Sequence, residues 1–346
     1  MSLETKANLY EGLVLPQDAN TSFGVFGVRS DGVTPIFDAY SQFKVSEDGK
    51  SITGDSPFDN VALVYRNADN DPFQYDKLAL WDGGEHTFYA YYINGSEFHP
   101  SLSVKKKDEF SSATKSVISN IGIDDSGVYM QYVQPTTLES MVDVMTANTT
   151  TSRTENNEVA LSFEHRLFAF DIVVRNNQIL DSDFKAQKLV VKSSKATFQV
   201  HAGGFFYFNA TDDLLSTTTC SVEKEFGSFE IRQPTSDNIR EYNLNRETRG
   251  SLSFLFLPCA SLKIKFEMTY VNRWGDDMPY TYDSIDGNDP PLTVEGGFQA
   301  GQKYKFTIVK NNFGSEFEFV PQIAVVNDED KTEGSWNNKD VDHEFN

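Results

Sequence analysis

The chain is poor in cysteine, in basic residues and in helical pattern, and each shortage removes a class of function. Only Cys220 and Cys259 occur in 346 residues. No C-x-x-C pair is present, so zinc ribbons and thioredoxin-like redox centres are excluded. One disulfide in an oxidising compartment and two separate buried thiols both stay open. Lys and Arg total 30 against 51 Asp and Glu, a formal net charge of -21. Phosphate backbones need clustered Lys and Arg, so nucleic acid is not an expected partner. An anionic membrane surface repels the same charge. No apolar run approaches the roughly 18 residues of a membrane-spanning helix. The five histidines form no H-x-H, H-E-x-x-H or Cys/His cluster, so no metal site is indicated. No G-x-S-x-G elbow and no phosphate-binding G-x-x-x-x-G-K-[ST] loop appear. No catalytic residue and no cofactor are therefore expected.

What the chain does have is large aromatic side chains, 28 Phe and 15 Tyr. That is too much apolar bulk for a disordered chain, and both residue types favour strands. Short alternating runs are bounded by Gly, Asn, Asp and Pro clusters: "SFGVFGV" (22–28), "NVALVYR" (60–66), "HTFYAYYI" (86–93) and "GVYMQYV" (127–133). The second half repeats the style in "KLVVKSS", "TFQVHA", "FFYFNA", "SLSFLFL", "LKIKFEMTYV", "KYKFTIV" and "EFEFVPQIAVV". Regular short strands with turn signals predict β-sandwiches. The best helical patterns are only "TTLESMVDVMTAN" (136–148) and "DDLLSTT" (212–218), and the first reads equally as an irregular linker carrying a short strand. The length suggests two domains. The polar run "TANTTTSRTENNE" (146–158) reads as their boundary. The expectation is an N-terminal β-sandwich domain over 1–152 and a C-terminal one over 153–346, the latter ending in an acidic tail.

"VALSFEHRLFAFDIVV" (159–174) places His165 between Glu164 and Arg166, like a proton-transfer centre. On a strand, however, residues two apart share a face. Val159, Leu161, Phe163, His165, Leu167 and Ala169 then point one way, and Glu164 and Arg166 the other. The flanking acid and base cannot orient the imidazole. His165 therefore reads as a hydrogen-bonded core residue and a fold marker for the opening of the second half.

The acidic loops "NADND", "DGNDPP" and "NDEDKTEG" offer oxygen ligands, but none continues into an EF-hand loop, so they read as solvated turns. Aromatics on a surface would stack on sugars, although no stretch locates such a platform. The opening "MSLETKANLY" lacks a signal-peptide pattern. It reads as an expression start joined to a mature sequence, with an export signal trimmed away.

Three stretches carry a resemblance. They are "LALWDGGEHTFYAYYI" (78–93), "MQYVQPTTLESMVDVMTANT" (130–149) and "VALSFEHRLFAFDIVV", in that order and spacing. Together, over roughly residues 20 to 325, the chain resembles the fimbrillin-like (Mfa-like) proteins, the type V pilins and pilus-associated surface proteins of Bacteroidales. The resemblance implies two tandem transthyretin-like Greek-key β-sandwich domains, all-β throughout. It implies export as a lipoprotein and a cell-surface or outer-membrane location, with membrane contact only through a trimmed lipid anchor. It implies other pilus subunits as partners through strand addition, and a host or bacterial surface ligand. No catalysis and no cofactor are implied. Maturation in such pilins involves proteolysis after a basic residue beyond the first strand; Arg29, the first arginine, is the candidate position here, with a solvated turn residue as its other reading. "EFEFVPQIAVV" is the candidate donor or edge strand, since Pro321 suits an edge. A glycan-binding surface lipoprotein is the alternative reading.

Overall fold

A computed structural model describes residues 22–29, 43–45, 52–54, 61–65, 73–74, 84–93, 104–106, 117–124, 127–152, 159–176, 188–208, 214–232, 240–247, 250–272, 274–313, 316–325 and 343–344. These residues form strands, turns and one 3-10 turn, Leu138–Ser140, with no α-helix among them. The expected all-β class is therefore observed.

The first half supplies β1 (Ser22–Arg29), β2 (Phe43–Val45), β3 (Ile52–Gly54), β4 (Val61–Tyr65), β5 (Phe73–Gln74) and β6 (Glu85–Ile93). It continues with β7 (Val104–Lys106), β8 (Ile118–Asp124), β9 (Gly127–Val133), β10 (Val144–Ser152) and β11 (Glu164–His165). The second half supplies β12 (Phe168–Asn176), β13 (Leu189–His201), β14 (Gly203–Tyr207), β15 (Leu214–Leu215), β16 (Thr219–Phe226), β17 (Phe229–Ile231) and β18 (Arg240–Asn243). Then come β19 (Arg246–Glu247), β20 (Gly250–Ser251), β21 (Phe254–Phe256), β22 (Lys263–Val271), β23 (Asp277–Asp283), β24 (Lys303–Phe313), β25 (Glu316–Val325) and β26 (His343–Glu344).

Among the described residues these strands build four large sheets. Sheet I has the order β11-β10-β6-β1-β4-β5, and sheet II the order β15-β14-β9-β8-β7. Sheet III runs β18-β12-β24-β25-β26, with β21 also paired to β12, and sheet IV runs β16-β13-β22-β23, with β17 on β13. Most ladders are antiparallel, but β12 and β24 pair in parallel from Ala169↔Lys303 to Asn176↔Lys310. β6 is central and aromatic on both faces, which is why it is buried from His86 to Ile93 except at Thr87.

One continuous core joins all four sheets. It holds Phe26, Tyr89 and Tyr91 from sheet I and Met130, Tyr132 and Phe206 from sheet II. Phe168, Phe170 and Phe306 from sheet III and Phe198 and Phe266 from sheet IV complete it. Aromatic rings meet edge to face through this centre, for example Phe170 on Phe198 at 5.6 Å and 85°. Such contacts add to the burial energy of each ring.

Strand pairing links the halves. Immediately after β13 ends in sheet IV, the chain enters sheet II as β14, opposite β9. Gly203 makes the crossing possible, because a Cβ there would sit 2.5 Å from the Tyr132 carbonyl oxygen. Only glycine fits so close an approach.

The structure details, and in part corrects, the sequence expectations. Within the polar run at 146–158, residues through Ser152 form the end of β10, paired along β6 from Thr146↔Tyr91 to Ser152↔Glu85. Threonine is β-branched and suits a pleated surface, and Thr150 hydrogen-bonds Thr87 across the pair at 2.8 Å. Of the two readings of 136–148 the linker with a strand is observed, as the 3-10 turn and the start of β10, while the helical pattern at 212–218 contains β15. "KLVVKSS" and "TFQVHA" are one long strand, β13. "VALSFEHRLFAFDIVV" is not a single strand: the backbone breaks at Arg166 and Leu167, between β11 and β12. "NADND" and "NDEDKTEG" lie outside the described residues.

Candidate functional site

The feature with the most functional content is the seat of β1 in sheet I. Ser22–Val25 pair with Val64–Val61 of β4, and Gly24–Arg29 pair with Tyr91–His86 of β6. The strand is thus bordered on both sides, with the two ladders staggered along it. Its faces diverge as the pleat requires. Phe26 enters the main core, 2% exposed, and stacks on Tyr91 at 6.2 Å. Val25 enters a second cluster on the opposite face of the sheet, with Phe88, Ala90, Tyr92, Met145 and Ala147. Val159, Leu161 and Phe163 pack over that cluster. Any strand in this seat must therefore bury apolar side chains on both faces.

Arg29 is the last residue of β1 and sits opposite His86 in the ladder. A cut after Arg29 would sever all of β1 from the remainder of the chain. The strand read as an edge, β25, pairs with β24 over ten positions and carries the two-residue β26 on its other side at Gln322 and Ile323.

His165 is buried, as its parity required, and Glu164 is exposed. Its partner comes from elsewhere: Nδ1 lies 2.8 Å from Asp143 Oδ2, and both side chains are almost wholly inaccessible. Sequence reasoning missed Asp143 because the two are joined by the ladder pair Met145↔His165 rather than by proximity in the chain. His165 also closes sheet I rather than opening a strand of the second half. The expected single face divides here. Val159, Leu161 and Phe163 serve the outer cluster, whereas Leu167 and Ala169 serve the main core. Arg166 ties the sheets together, its Nη2 donating to the Tyr207 carbonyl at 2.9 Å beside the Phe206 ring.

The other polar centres are structural in form. Asp171 accepts from Ser253 Oγ at 2.7 Å and Asn243 Nδ2 at 3.1 Å, and Lys303 Nζ lies 3.6 Å away. At the entry to the "DGNDPP" turn (286–291), Asp283 Oδ1 accepts from the Ile285 and Asp286 N–H groups, and Asp289 Oδ2 from the Asp283 N–H. The Asp286 N–H first, and the Lys265 ammonium second, hold the Asp283 carboxyl down at about 2. These carboxylates organise a turn. Among the described residues no group of three His, Cys, Asp or Glu is arranged to hold a metal. Cys220 and Cys259 stand as separate thiols. Burial raises both, Cys259 to about 12, so neither is a thiolate nucleophile at neutral pH.

Comparison with known proteins places this arrangement. No curated protein matches the chain. A crystal structure of a fimbrial protein from Bacteroides vulgatus ATCC 8482 is similar at TM-score 0.50 and 14% identity, covering 89% of this chain and 94% of that one. A second, described as a candidate cell adhesion protein from Bacteroides uniformis ATCC 8492, aligns at TM-score 0.44 and 15% identity, over 88% and 91% of the two chains. The first likeness concerns the fold. The family model described as fimbrillin-like matches residues 35–325. With most of its length matched, the chain belongs to the fimbrillin-like family.

Proposed function

We propose that this protein is a non-catalytic cell-surface subunit of a type V fimbria, or an adhesin associated with one, that assembles by β-strand addition. In this reading the chain comprises two transthyretin-like Greek-key sandwich domains, 1–152 and 153–346, with β14 as a strand shared across the junction. A lipid anchor holds the chain to the outer membrane. The observation that carries the reading is the seat of β1, bordered by β4 and β6 and buried on both faces. Proteolysis after Arg29 would free β1 and expose the ladder edges of both neighbours. A strand from another subunit would restore the main-chain bonds and fill the two apolar faces. β25 is the candidate donor.

Electron microscopy of the protein before and after treatment with a trypsin-like protease tests this. The expected result is a cut after Arg29 followed by fibres, with Arg29→Gln remaining uncut there and monomeric. A folded protein nicked elsewhere while Arg29 is spared would contradict it.

A glycan-binding surface lipoprotein is the second reading. It is favoured by one observation, the high exposure of Trp274, at 66%.

A further inference from the structure

Among the described residues three large apolar side chains are exposed: Tyr242 at 37%, Trp274 at 66% and Met278 at 39%. Register places them at one end of the second half. The turn carrying Trp274 comes directly after Val271, which pairs with Val190 at the start of β13. The opposite end of β13 is where the chain crosses into sheet II. The Trp274 turn thus lies at the end of sheet IV away from the first half. Tyr242 sits opposite Val174, near the far end of β12. A row of side chains connects these positions, because Phe229, Val191, Tyr270 and Met278 are successive register partners across sheet IV. The Tyr242 ring stacks on Phe229 at 4.3 Å and 7°.

The indole is presented on a built turn. Asn272 Oδ1 accepts from the Trp274 and Asp276 N–H groups, each at 2.9 Å, and Gly275 takes a φ of 93°. Presentation on a fixed turn reduces the ordering cost of binding.

Size and charge together narrow the partner. Large side chains such as these bury about 150–250 Å² each, so two aromatics and a methionine at these exposures offer on the order of 300 Å². A stable protein interface takes about 800 Å² from each partner. Beside the turn Asp277 pairs with Lys192 at 2.5 Å and Glu230 with Lys188 at 2.7 Å, and within it the Asp276 carboxylate accepts from Asn272 Nδ2 at 3.3 Å. Paired charges select neither anion nor cation. They do place hydrogen-bond acceptors and donors side by side, half exposed. A ligand with one apolar C–H face and a rim of uncharged hydroxyls matches both features.

We propose that this end of the second half binds a neutral carbohydrate, with Trp274 as the stacking platform and the Asp277–Lys192 pair meeting its hydroxyls. The inference deepens the glycan-binding reading and rests on it. It is independent of strand addition, since a monomer suffices.

The test is an array of neutral oligosaccharides (gluco-, galacto-, manno- and N-acetylhexosamine-type) and of sialylated and sulfated ones, probed with the full chain, Trp274→Ala and Trp274→Phe. The expected result is binding of at least one neutral sugar, weakened about tenfold or more in Trp274→Ala and largely kept in Trp274→Phe, with melting unchanged. Equal binding by Trp274→Ala overturns the site while leaving the glycan-binding reading. Absence of any binding, or binding confined to sialylated or sulfated sugars, overturns the proposal. So does a self-associated form that Trp274→Ala disperses, because the occupant would then be a second copy. None of these results bears on fibre formation.

Discussion

Two strands complete the sheets of the first half, and they are held in different ways. β14 enters sheet II from within the chain, continuous with β13 on one side. It is locked by the close approach of Gly203 to Tyr132 and by the Phe206–Tyr132 ring contact at 5.3 Å. Around it, Gln134 donates to the Leu255 carbonyl at 3.0 Å, and Arg166 to that of Tyr207. β1 enters sheet I near the start of the chain and is held by its two ladders and by buried residues such as Val25 and Phe26. One cut would make it a separate peptide, whereas no single cut would release β14. The difference separates a strand that joins the halves within one chain from one that a single cut would detach.

The largest effect is expected at the fixed strand. Gly203→Val drives a side chain into the Tyr132 backbone. It should cost on the order of 3–5 kcal/mol, the range of severe core disruptions, measured by urea unfolding. A near-neutral result would show that β14 is not a lock. Next comes His165→Ala, which leaves Asp143 buried without its imidazole. Removing one member of a buried pair costs about 3–5 kcal/mol at its upper range. For this pair, 2.8 Å apart and almost wholly inaccessible, we expect about 3 kcal/mol. A melting temperature equal to wild type would contradict the core role.

A smaller effect is expected at the far end of sheet III. Lys310 is core-facing in phase with Phe306 and Ile308 and 2% exposed. Burial lowers its pKa from 10.5 to about 8. Between those values the unfolded chain binds more protons than the folded one, so this group adds stability as pH rises from about 8 towards 10. The melting temperature of wild type relative to Lys310→Met should therefore increase between pH 7 and pH 9.5. A constant difference would refute the burial effect. Smallest of all, Trp274→Ala should change stability by less than about 0.5 kcal/mol, as for a surface turn. A larger loss would mean that the indole is part of the packing.

Much of this was legible in the sequence. Strand-favouring runs bounded by turn residues located β1, β6, β9, β22 and β24, and in β22 period-two burial leaves a direct trace. The parity of His165 was readable for the same reason. Two kinds of feature were not. The first is a strand without apolar alternation: residues 148–152 read "NTTTS", yet they form the end of β10 through threonine pairing. The second is the long-range partner, since nothing local ties Asp143 to His165 or β14 to β9. The break at Arg166 hid for a related reason. Its flanks are apolar in both clusters, so the pattern runs through a point where the chain changes sheet.

The central claim is that β1 is exchangeable while the rest of the fold stays intact. Protein cut after Arg29 can be mixed, well below its melting temperature, with excess labelled peptide spanning residues 20–29. Native mass spectrometry then counts peptide per chain. The expected result is replacement of β1 by the labelled peptide, with melting of the complex equal to that of the cut protein before exchange. Retention of the original strand until the whole protein unfolds would contradict the account.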